Sequence, residues 1–221
     1  MKYILVLVIS YFIGTISGSY IIGKLFLDKD IRKYGSGNAG TTNAMRVLGK
    51  KAGVITFIID FLKGVAVTFI IGKFFGKNLI PLGILGAIIG HDFPFYMNFR
   101  GGKGVATTLG ALALFNFPLT LICYIVWVLG TFITKMVSVG SILFFISIII
   151  VYTFMSDLTT YNIILVNFIA LIGIIRHKDN IKRIMAGNEN KVGGKKWILH
   201  CVVVVAGVLQ LLGFCQIKVI R

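Results

Sequence analysis

Acidic residues and cysteines are scarce in this sequence, and these shortages argue against a disulfide-bonded protein and against a metal-binding protein. Seven Asp and Glu stand against 23 Lys and Arg, so the formal net charge is +16 over 221 residues. The three cysteines, Cys123, Cys201 and Cys215, lie in apolar segments without paired spacing, which is typical of small buried side chains rather than of disulfides or metal ligands. No His, Asp and Glu cluster has metal-ligand spacing, so we expect no metal and no cofactor.

Charge of either sign is also rare, at 14% of residues, whereas 57% are hydrophobic and the mean hydropathy is +0.93. A soluble chain has about a quarter of its residues charged, so the apolar excess indicates contact with lipid. The Lys and Arg residues cluster at the ends of apolar runs, as expected beside anionic headgroups. This pattern argues against a nucleic-acid partner, which would need a basic face on a soluble element.

Eight apolar runs predict the architecture, because a spanning helix needs roughly 20 apolar residues. The runs are 3–23, 53–75, 79–97, 104–115, 119–134, 139–155, 158–175 and 197–217. They show no period-2 alternation, which excludes a barrel. We therefore predict an all-α polytopic transmembrane bundle of about seven spans in residues 1–196, with the first run retained as a span rather than cleaved. Residues 197–221 hold an extra hydrophobic segment, Trp197–Ile217, which is either an eighth span or an interfacial helix.

The distribution of cations predicts the orientation. The segments after the first and seventh runs each hold seven Lys and Arg, whereas the segments after the fourth and sixth runs hold none. The positive-inside rule then places the N-terminus outside and residues 24–51, 98–104, 135–138 and 176–196 in the cytoplasm. All polar, glycine-bearing segments thereby fall on one side of the membrane.

The fourth run is short for a span. Either its helix extends back through Gly101–Gly104, or that glycine turn lies below the headgroups and is enclosed by protein. Both arrangements place Lys103 in or near a cavity. An uncompensated cation at this depth costs a few kcal/mol, which favours a function for Lys103.

Three segments have the composition of an anion site. The first, residues 35–46, has the spacing of a dinucleotide fingerprint but lacks the preceding strand, so we interpret it as a phosphate or carboxylate nest rather than an ordinary polar loop. The second runs from Gly90 through Gly104; it fails the Walker pattern, yet a Gly-Gly-Lys-Gly turn that opens a helix directs free N–H groups at a phosphate. Close packing through the glycines is the alternative there, and we expect His91 to be structural.

The third segment is the tail 176–189. His177 and Asn180 are three residues apart and share a helix face, and His177 is the best candidate for proton transfer or phosphate binding. We expect Glu189 to pair with a cation rather than with substrate, and Asp179 to pair with Arg183 at i,i+4. Asp60 and Lys63 are i,i+3 within the second run and predict a structural ion pair.

These segments, in this order, resemble the bacterial acyl-phosphate:glycerol-3-phosphate acyltransferase family of the PlsY type. The family pattern reads Ser-Gly-Asn-x-Gly-x-Thr-Asn-x-x-Arg at Ser36–Arg46, Gly-Gly-Lys-Gly at Gly101–Gly104 and Arg-His-x-x-Asn-Ile-x-Arg at Arg176–Arg183. Gly90-His91-x-Phe93-Pro94 and Asp60-x-x-Lys63-Gly64 also look like the family, and the likeness covers about residues 10–192. This chain departs from the usual Gly-Ser-Ile-Pro at Gly18–Ile21, at four tail positions, and in its extra segment after residue 196.

The resemblance implies transfer of a fatty acyl group from acyl-phosphate to the 1-hydroxyl of glycerol 3-phosphate at a cytoplasmic site of the inner membrane, in phospholipid synthesis. The implied catalytic residues are His177, Ser36 and Asn180. The implied substrate-binding residues are Asn38, Asn43, Arg46, Gly101, Gly102, Lys103, Gly104 and Ser141, with Ser138 as an alternative to Ser141. We expect direct transfer without a covalent acyl-enzyme, and the base is either His177 or the acceptor's own phosphate.

Two other functions remain open from the residues alone. A transporter or flippase for an anionic phospho-compound would show repeated halves and broken helices at mid-membrane, and repeats are not evident. A non-catalytic scaffold would not bring the three segments together. Acyl-CoA as the donor is excluded only by the family resemblance.

Overall fold

The computed structural model describes residues 1–191, and within that range every regular element is helical. The α-helices are α1 Lys2–Thr15, α2 Gly18–Ile21, α3 Thr41–Val47, α4 Lys50–Phe74, α5 Ile80–Asp92, α6 Val105–Phe115, α7 Phe117–Thr134, α8 Val137–Met155, α9 Thr160–Arg176 and α10 Lys178–Met185. Short turns occupy Ile22–Phe26 (π) and Ile31–Lys33, Lys77–Leu79 and Phe95–Met97 (3-10). The predicted fold class, an all-α membrane bundle, is confirmed. The extra segment Trp197–Ile217 lies outside the described residues.

The membrane spans follow the predicted apolar runs. Within residues 1–191, five segments are long and apolar enough to cross a bilayer: Lys2–Phe26, Lys50–Phe74, Lys77–Met97, Phe117–Thr134 and Val137–Met155. A sixth span results if α9 and α10 are taken together across their 51° bend. The predicted total of about seven stays a prediction, because it also needs the short helix α6.

Close glycine contacts bring the helices together. Helix α1 packs along α5, α4 along α6, and α7 along α8. A Cβ at Gly14 would overlap the backbone of Ala87, and one at Gly64 would overlap Thr107. Membrane helices commonly approach through such small residues, since lipid supplies no hydrophobic force between them. These pairs form the wall around the polar segments.

Helix α6 settles the two arrangements expected for the fourth run. It has 11 residues, about 17 Å at 1.5 Å per residue, roughly half of a 30 Å hydrocarbon core. It begins only at Val105, because Gly104 takes a left-handed conformation with φ of 72°. The helix therefore does not extend back through Gly101–Gly104, and that turn is bonded to the end of α5 and to Arg176 at the end of α9. Its depth in the membrane stays a prediction.

Candidate active site

The polar segments meet at one cavity of about 120 Å³. Eight of the eleven predicted site residues line it: Ser36, Asn38, Asn43, Arg46, Lys103, Ser141, His177 and Asn180. The other three, Gly101, Gly102 and Gly104, lie in the turn that carries Lys103. Residues 35–46, the glycine turn, the start of α8 and the tail after α9 thus face each other, which is the convergence that a scaffold would lack. The roles of the individual residues stay predictions.

Asn43 holds the loop 35–46 in shape. Its Oδ1 accepts from the Ser36 N–H at 2.9 Å, and its Nδ2 donates to the Asn38 carbonyl at 3.0 Å and to the Tyr34 carbonyl at 3.1 Å. Asn43 is 2% exposed, so these bonds use the amide that the sequence suggested for substrate. Among the donors left for a ligand, the Ser36 hydroxyl and the Arg46 guanidinium have no hydrogen-bond partner within residues 1–191. The Asn38 amide donates one N–H to the Gly101 carbonyl at 3.3 Å and keeps a second.

The glycine turn differs from the expected nest of free N–H groups. The Gly101 N–H donates to the Asp92 carbonyl at 3.0 Å, and the Gly102 N–H donates to the His91 carbonyl at 3.1 Å. A Cβ at Gly101 would overlap the His91 carbonyl, and one at Gly102 would overlap the His91 ring. The expectation that these two N–H groups meet phosphate is therefore wrong for this conformation, because carbonyl groups at the end of α5 accept both hydrogen bonds. These glycines allow close approach of α5, the alternative that the sequence left open.

With the Gly101 and Gly102 N–H groups occupied, the remaining donors beside the glycine turn are the Lys103 ammonium and the N–H groups in the first turn of α6. Val105 and Ala106 line the cavity, where the unpaired N–H groups of a helix start carry partial positive charge. The Lys103 ammonium donates to the Asn180 Oδ1. Burial, followed by repulsion from the Arg183 guanidinium, lowers the pKa of Lys103 to about 8, so the side chain still carries its charge at neutral pH.

His177 presents one ring nitrogen for chemistry. It is 3% exposed and lines the cavity. Its Nδ1 lies 2.7 Å from the Gly173 carbonyl oxygen, which can only accept, so Nδ1 carries the proton. Nε2 is then the ring nitrogen with the lone pair, free to accept a proton or a hydrogen bond.

Four side chains form the Glu189 cluster: Ser138, Asn180, Arg183 and Glu189. The Glu189 Oε1 accepts from the Ser138 hydroxyl at 3.0 Å and from the Asn180 amide at 2.8 Å, and its Oε2 accepts from the Arg183 Nε at 2.8 Å. The expectation that Glu189 pairs with a cation is confirmed. The predicted pair of Asp179 with Arg183 does not form, because the Arg183 side chain reaches Glu189 instead.

The two serines at the start of α8 are not equivalent. Ser138 joins the Glu189 cluster, whereas the Ser141 hydroxyl donates to the Val137 carbonyl at 2.8 Å within its own helix. Ser141 can therefore meet a substrate only as an acceptor.

A second polar group, the Lys63 cluster, lies deeper and consists of Asp60, Lys63 and His91. The predicted ion pair is confirmed, with Lys63 Nζ at 2.9 Å from Asp60 Oδ1 and both side chains nearly inaccessible. Lys63 Nζ also lies 2.7 Å from His91 Nδ1 and 2.5 Å from the Ile16 carbonyl oxygen. Asp60 and His91 both line the cavity.

The cavity lining also includes hydrocarbon side chains that sequence reasoning missed. Phe57 and Trp127 line it, together with Val105 and Ala106 at the start of α6. No sequence signal distinguishes such side chains from others that face lipid or core on the same helices. The cavity lining as a whole is amphipathic, because it combines cations and hydroxyl groups with hydrocarbon. Such a site suits a phosphate group joined to an acyl chain.

Comparisons with known proteins agree with this geometry. Residues 4–187 match the glycerol-3-phosphate acyltransferase family. The chain is 43% identical over 194 residues to a glycerol-3-phosphate acyltransferase of Finegoldia magna, covering 86% of this chain and 97% of that protein. It is 45% identical over 204 residues to one of Macrococcus caseolyticus, covering 89% of this chain and all of that protein.

Two crystal structures of PlsY (YgiH), an integral membrane glycerol 3-phosphate acyltransferase, have the same fold. The glycerol 3-phosphate form is 35% identical with a TM-score of 0.80, covering 87% of this chain and 96% of that one. The lysophosphatidic acid form is 32% identical with a TM-score of 0.78, covering 90% of this chain and 99% of that one.

Proposed function

This chain belongs to the glycerol-3-phosphate acyltransferase family, and we propose that its acyl donor is an acyl-phosphate and its acceptor group is the 1-hydroxyl of glycerol 3-phosphate. The chain is a multi-pass membrane enzyme that acylates glycerol 3-phosphate in phospholipid synthesis. The comparisons favour this function over a transporter or flippase. The observation that carries the donor proposal is the amphipathic cavity, whose lining combines the Lys103 ammonium and hydroxyl groups with the hydrocarbon of Phe57 and Trp127.

The donor phosphate would lie between Lys103 and the first turn of α6. The ammonium and the helix start both stabilise the negative charge that grows on phosphate as it leaves. The acyl chain would extend past the rings of Phe57 and Trp127.

The acceptor would bind at the loop 35–46. The Arg46 guanidinium, joined by Asn38, suits the phosphate of glycerol 3-phosphate, and the Ser36 hydroxyl suits a glycerol hydroxyl. His177 faces them across the cavity, and Asn180 keeps Lys103 in place. Holding both substrates here supplies much of the rate by proximity.

The reaction then needs no covalent enzyme intermediate. The 1-hydroxyl oxygen of the acceptor attacks the acyl carbonyl carbon, and the bond from that carbon to the phosphate oxygen breaks. Phosphate leaves with the electron pair, and the hydroxyl proton passes to His177 Nε2, the ring nitrogen that bears a lone pair. The products are 1-acyl-glycerol 3-phosphate and inorganic phosphate. If the acceptor's own phosphate takes the proton instead, His177→Gln will retain most of the turnover.

The test is phosphate release by purified protein in detergent, given palmitoyl-phosphate and glycerol 3-phosphate. Stoichiometric phosphate and lysophosphatidate support the proposal. Equal or faster acylation from palmitoyl-CoA would overturn the donor assignment while leaving the acyltransferase activity intact. Glycerol in place of glycerol 3-phosphate is the control for the acceptor phosphate.

We also propose a bacterial inner-membrane location with the N-terminus outside and the cavity facing the cytoplasm, from the cation distribution. Asp157 and Asn188 are exposed and lie on opposite sides in this orientation. In a cysteine-free background, an impermeant maleimide should label Asp157→Cys but not Asn188→Cys in intact cells. The reverse pattern would invert the orientation.

A further inference from the structure

The Lys63 cluster assigns the tautomer of a second histidine at the cavity. Lys63 Nζ has three close neighbours: the Ile16 carbonyl oxygen, Asp60 Oδ1 and His91 Nδ1. An ammonium has three hydrogens and no lone pair, so it can only donate: it bonds to the Ile16 carbonyl and to the His91 ring, and its charge pairs with Asp60. His91 Nδ1 must therefore be the acceptor, and it carries no proton.

The remaining ring nitrogen of His91 is then a donor. A doubly protonated ring would press an N–H against the Lys63 ammonium in a site that is 5% exposed, so the ring is neutral with its single proton on Nε2. Nε2 lies against Gly102, the residue before Lys103, and the ring lines the cavity. Within residues 1–191, no protein atom accepts a hydrogen bond from this Nε2.

We propose that His91 binds an oxygen of the acyl-phosphate through its Nε2–H, and that Lys63 is a positioning residue that fixes the donating tautomer. The inference rests on the proposed function, because the donor phosphate is placed beside the glycine turn. His91 adds a neutral donor where Lys103 adds a charge. The glycine turn, whose Gly102 N–H is bonded to the His91 carbonyl, keeps that donor next to Lys103.

The cost of the cluster supports a role beyond packing. Lys63 and Asp60 are 4% and 1% exposed on a membrane-spanning helix, where an apolar pair of similar volume is often equally or more stable. We therefore assign Lys63 the role of fixing which ring nitrogen of His91 carries the proton.

Two substitutions of His91 separate the ring nitrogens. The amide of His91→Asn reaches the Nδ1 position and still accepts from Lys63, but nothing replaces Nε2–H. The amide of His91→Gln reaches the Nε2 position and restores a donor. We expect His91→Asn to lower kcat/KM for palmitoyl-phosphate about 100-fold and His91→Gln to lower it less than about tenfold, as for the loss and the replacement of one transition-state donor. The KM for glycerol 3-phosphate should stay within about twofold in both.

The positioning role of Lys63 is tested by a double-mutant cycle with His91. Asp60→Asn combined with Lys63→Met removes both charges without leaving either ion alone. In the wild-type background we expect this pair to lower kcat/KM for palmitoyl-phosphate about tenfold. In the His91→Gln background the same pair should change little, because the tautomer no longer exists. Thr68→Val is the matched control: Thr68 is buried on α4 and donates to the Ala111 carbonyl at 3.0 Å.

The outcomes are distinguishable from failure of the proposed function. If the wild-type protein does not use acyl-phosphate, the donor proposal fails first. If it does, and His91→Asn matches wild type or His91→Gln is as damaged as His91→Asn, the inference about His91 is overturned. If Asp60→Asn combined with Lys63→Met lowers kcat/KM by the same factor in the His91→Gln background as in the wild-type background, the positioning role of Lys63 is overturned.

Discussion

The Glu189 cluster and the Lys63 cluster flank the same cavity with opposite charges at their centres. Glu189 is an anion that accepts hydrogen bonds from three donors, one on α8 and two on α10. Lys63 is a cation that donates to the Ile16 carbonyl after α1 and to His91 on α5, and it forms an ion pair with Asp60 on α4. Each centre is surrounded by protein groups of opposite character, and each orients a neighbour that lines the cavity.

The difference between the clusters lies in how they act. The Glu189 cluster joins the tail to the start of α8, and through Asn180 it holds the charged end of Lys103. The Lys63 cluster joins the membrane-spanning helices α4 and α5, which pack against each other, and it orients the neutral hydrogen-bond donor His91. Damage to the first should therefore affect both folding and catalysis, whereas damage to the second should affect mainly the donor substrate.

The largest expected effect is that of Lys103→Ala. This change removes the cation that the Glu189 cluster positions, and we expect kcat to fall about 100- to 1000-fold, the range for loss of one transition-state charge donor. Phosphate release in detergent measures it. Lys182→Ala is the matched control, because Lys182 is exposed on α10 and does not line the cavity. Turnover above half of wild type in Lys103→Ala would remove Lys103 from the mechanism.

The second effect is that of Glu189→Ala on stability and turnover together. The change leaves Arg183, Asn180 and Ser138 without their acceptor, at a cost of about 1–3 kcal/mol for each buried group that cannot reach water. We expect a lower melting temperature in detergent and at least about tenfold slower turnover, since the Asn180 amide loses its carboxylate partner. Asp179→Ala is the control, because the exposed Asp179 forms no ion pair within residues 1–191. An unchanged melting temperature would contradict the role of this cluster.

The third effect is a pH dependence that belongs to the Lys103 side of the comparison. Burial lowers the pKa of Lys103 to about 8, so the ammonium is present below that pH and is lost above it. We expect kcat/KM to fall as pH rises through about 8, by about tenfold per unit beyond it. Lys103→Arg should move this fall to higher pH, because guanidinium keeps its proton. An identical profile in Lys103→Arg would assign the fall to another group.

The sequence predicted the elements of the site better than their bonds. Apolar runs gave the helices, and glycine-bearing polar segments gave the three walls of the cavity, because both signals are local along the chain. The donors of Gly101 and Gly102 were misassigned because their acceptors lie on α5, whose end folds back on the turn. Asn43 was assigned to substrate because nothing local shows that its amide closes the loop.

Pairing choices show the same limit. The i,i+4 rule suggested Asp179 for Arg183, but the tail folds so that Glu189 reaches the same guanidinium at 2.8 Å. By contrast, the i,i+3 pair of Asp60 with Lys63 was correct, because a long helix fixes both positions and no water competes inside the bundle. Local rules succeeded where the helix was rigid and buried, and failed where a chain turn intervened.

The smallest expected effect is that of Ser141→Ala, and it sharpens the contrast between the two serines of α8. The Ser141 hydroxyl gives its hydrogen to the Val137 carbonyl, which already has a helical partner, so its loss leaves no buried donor unpaired. We expect kcat/KM to fall less than about threefold, because only an acceptor contact to substrate is lost. Ser138→Ala, which takes a donor from Glu189, should cost more in melting temperature. If Ser141→Ala loses more than about tenfold, its hydroxyl must rotate toward the substrate on binding, and the cavity wall at α8 then belongs to the acceptor site.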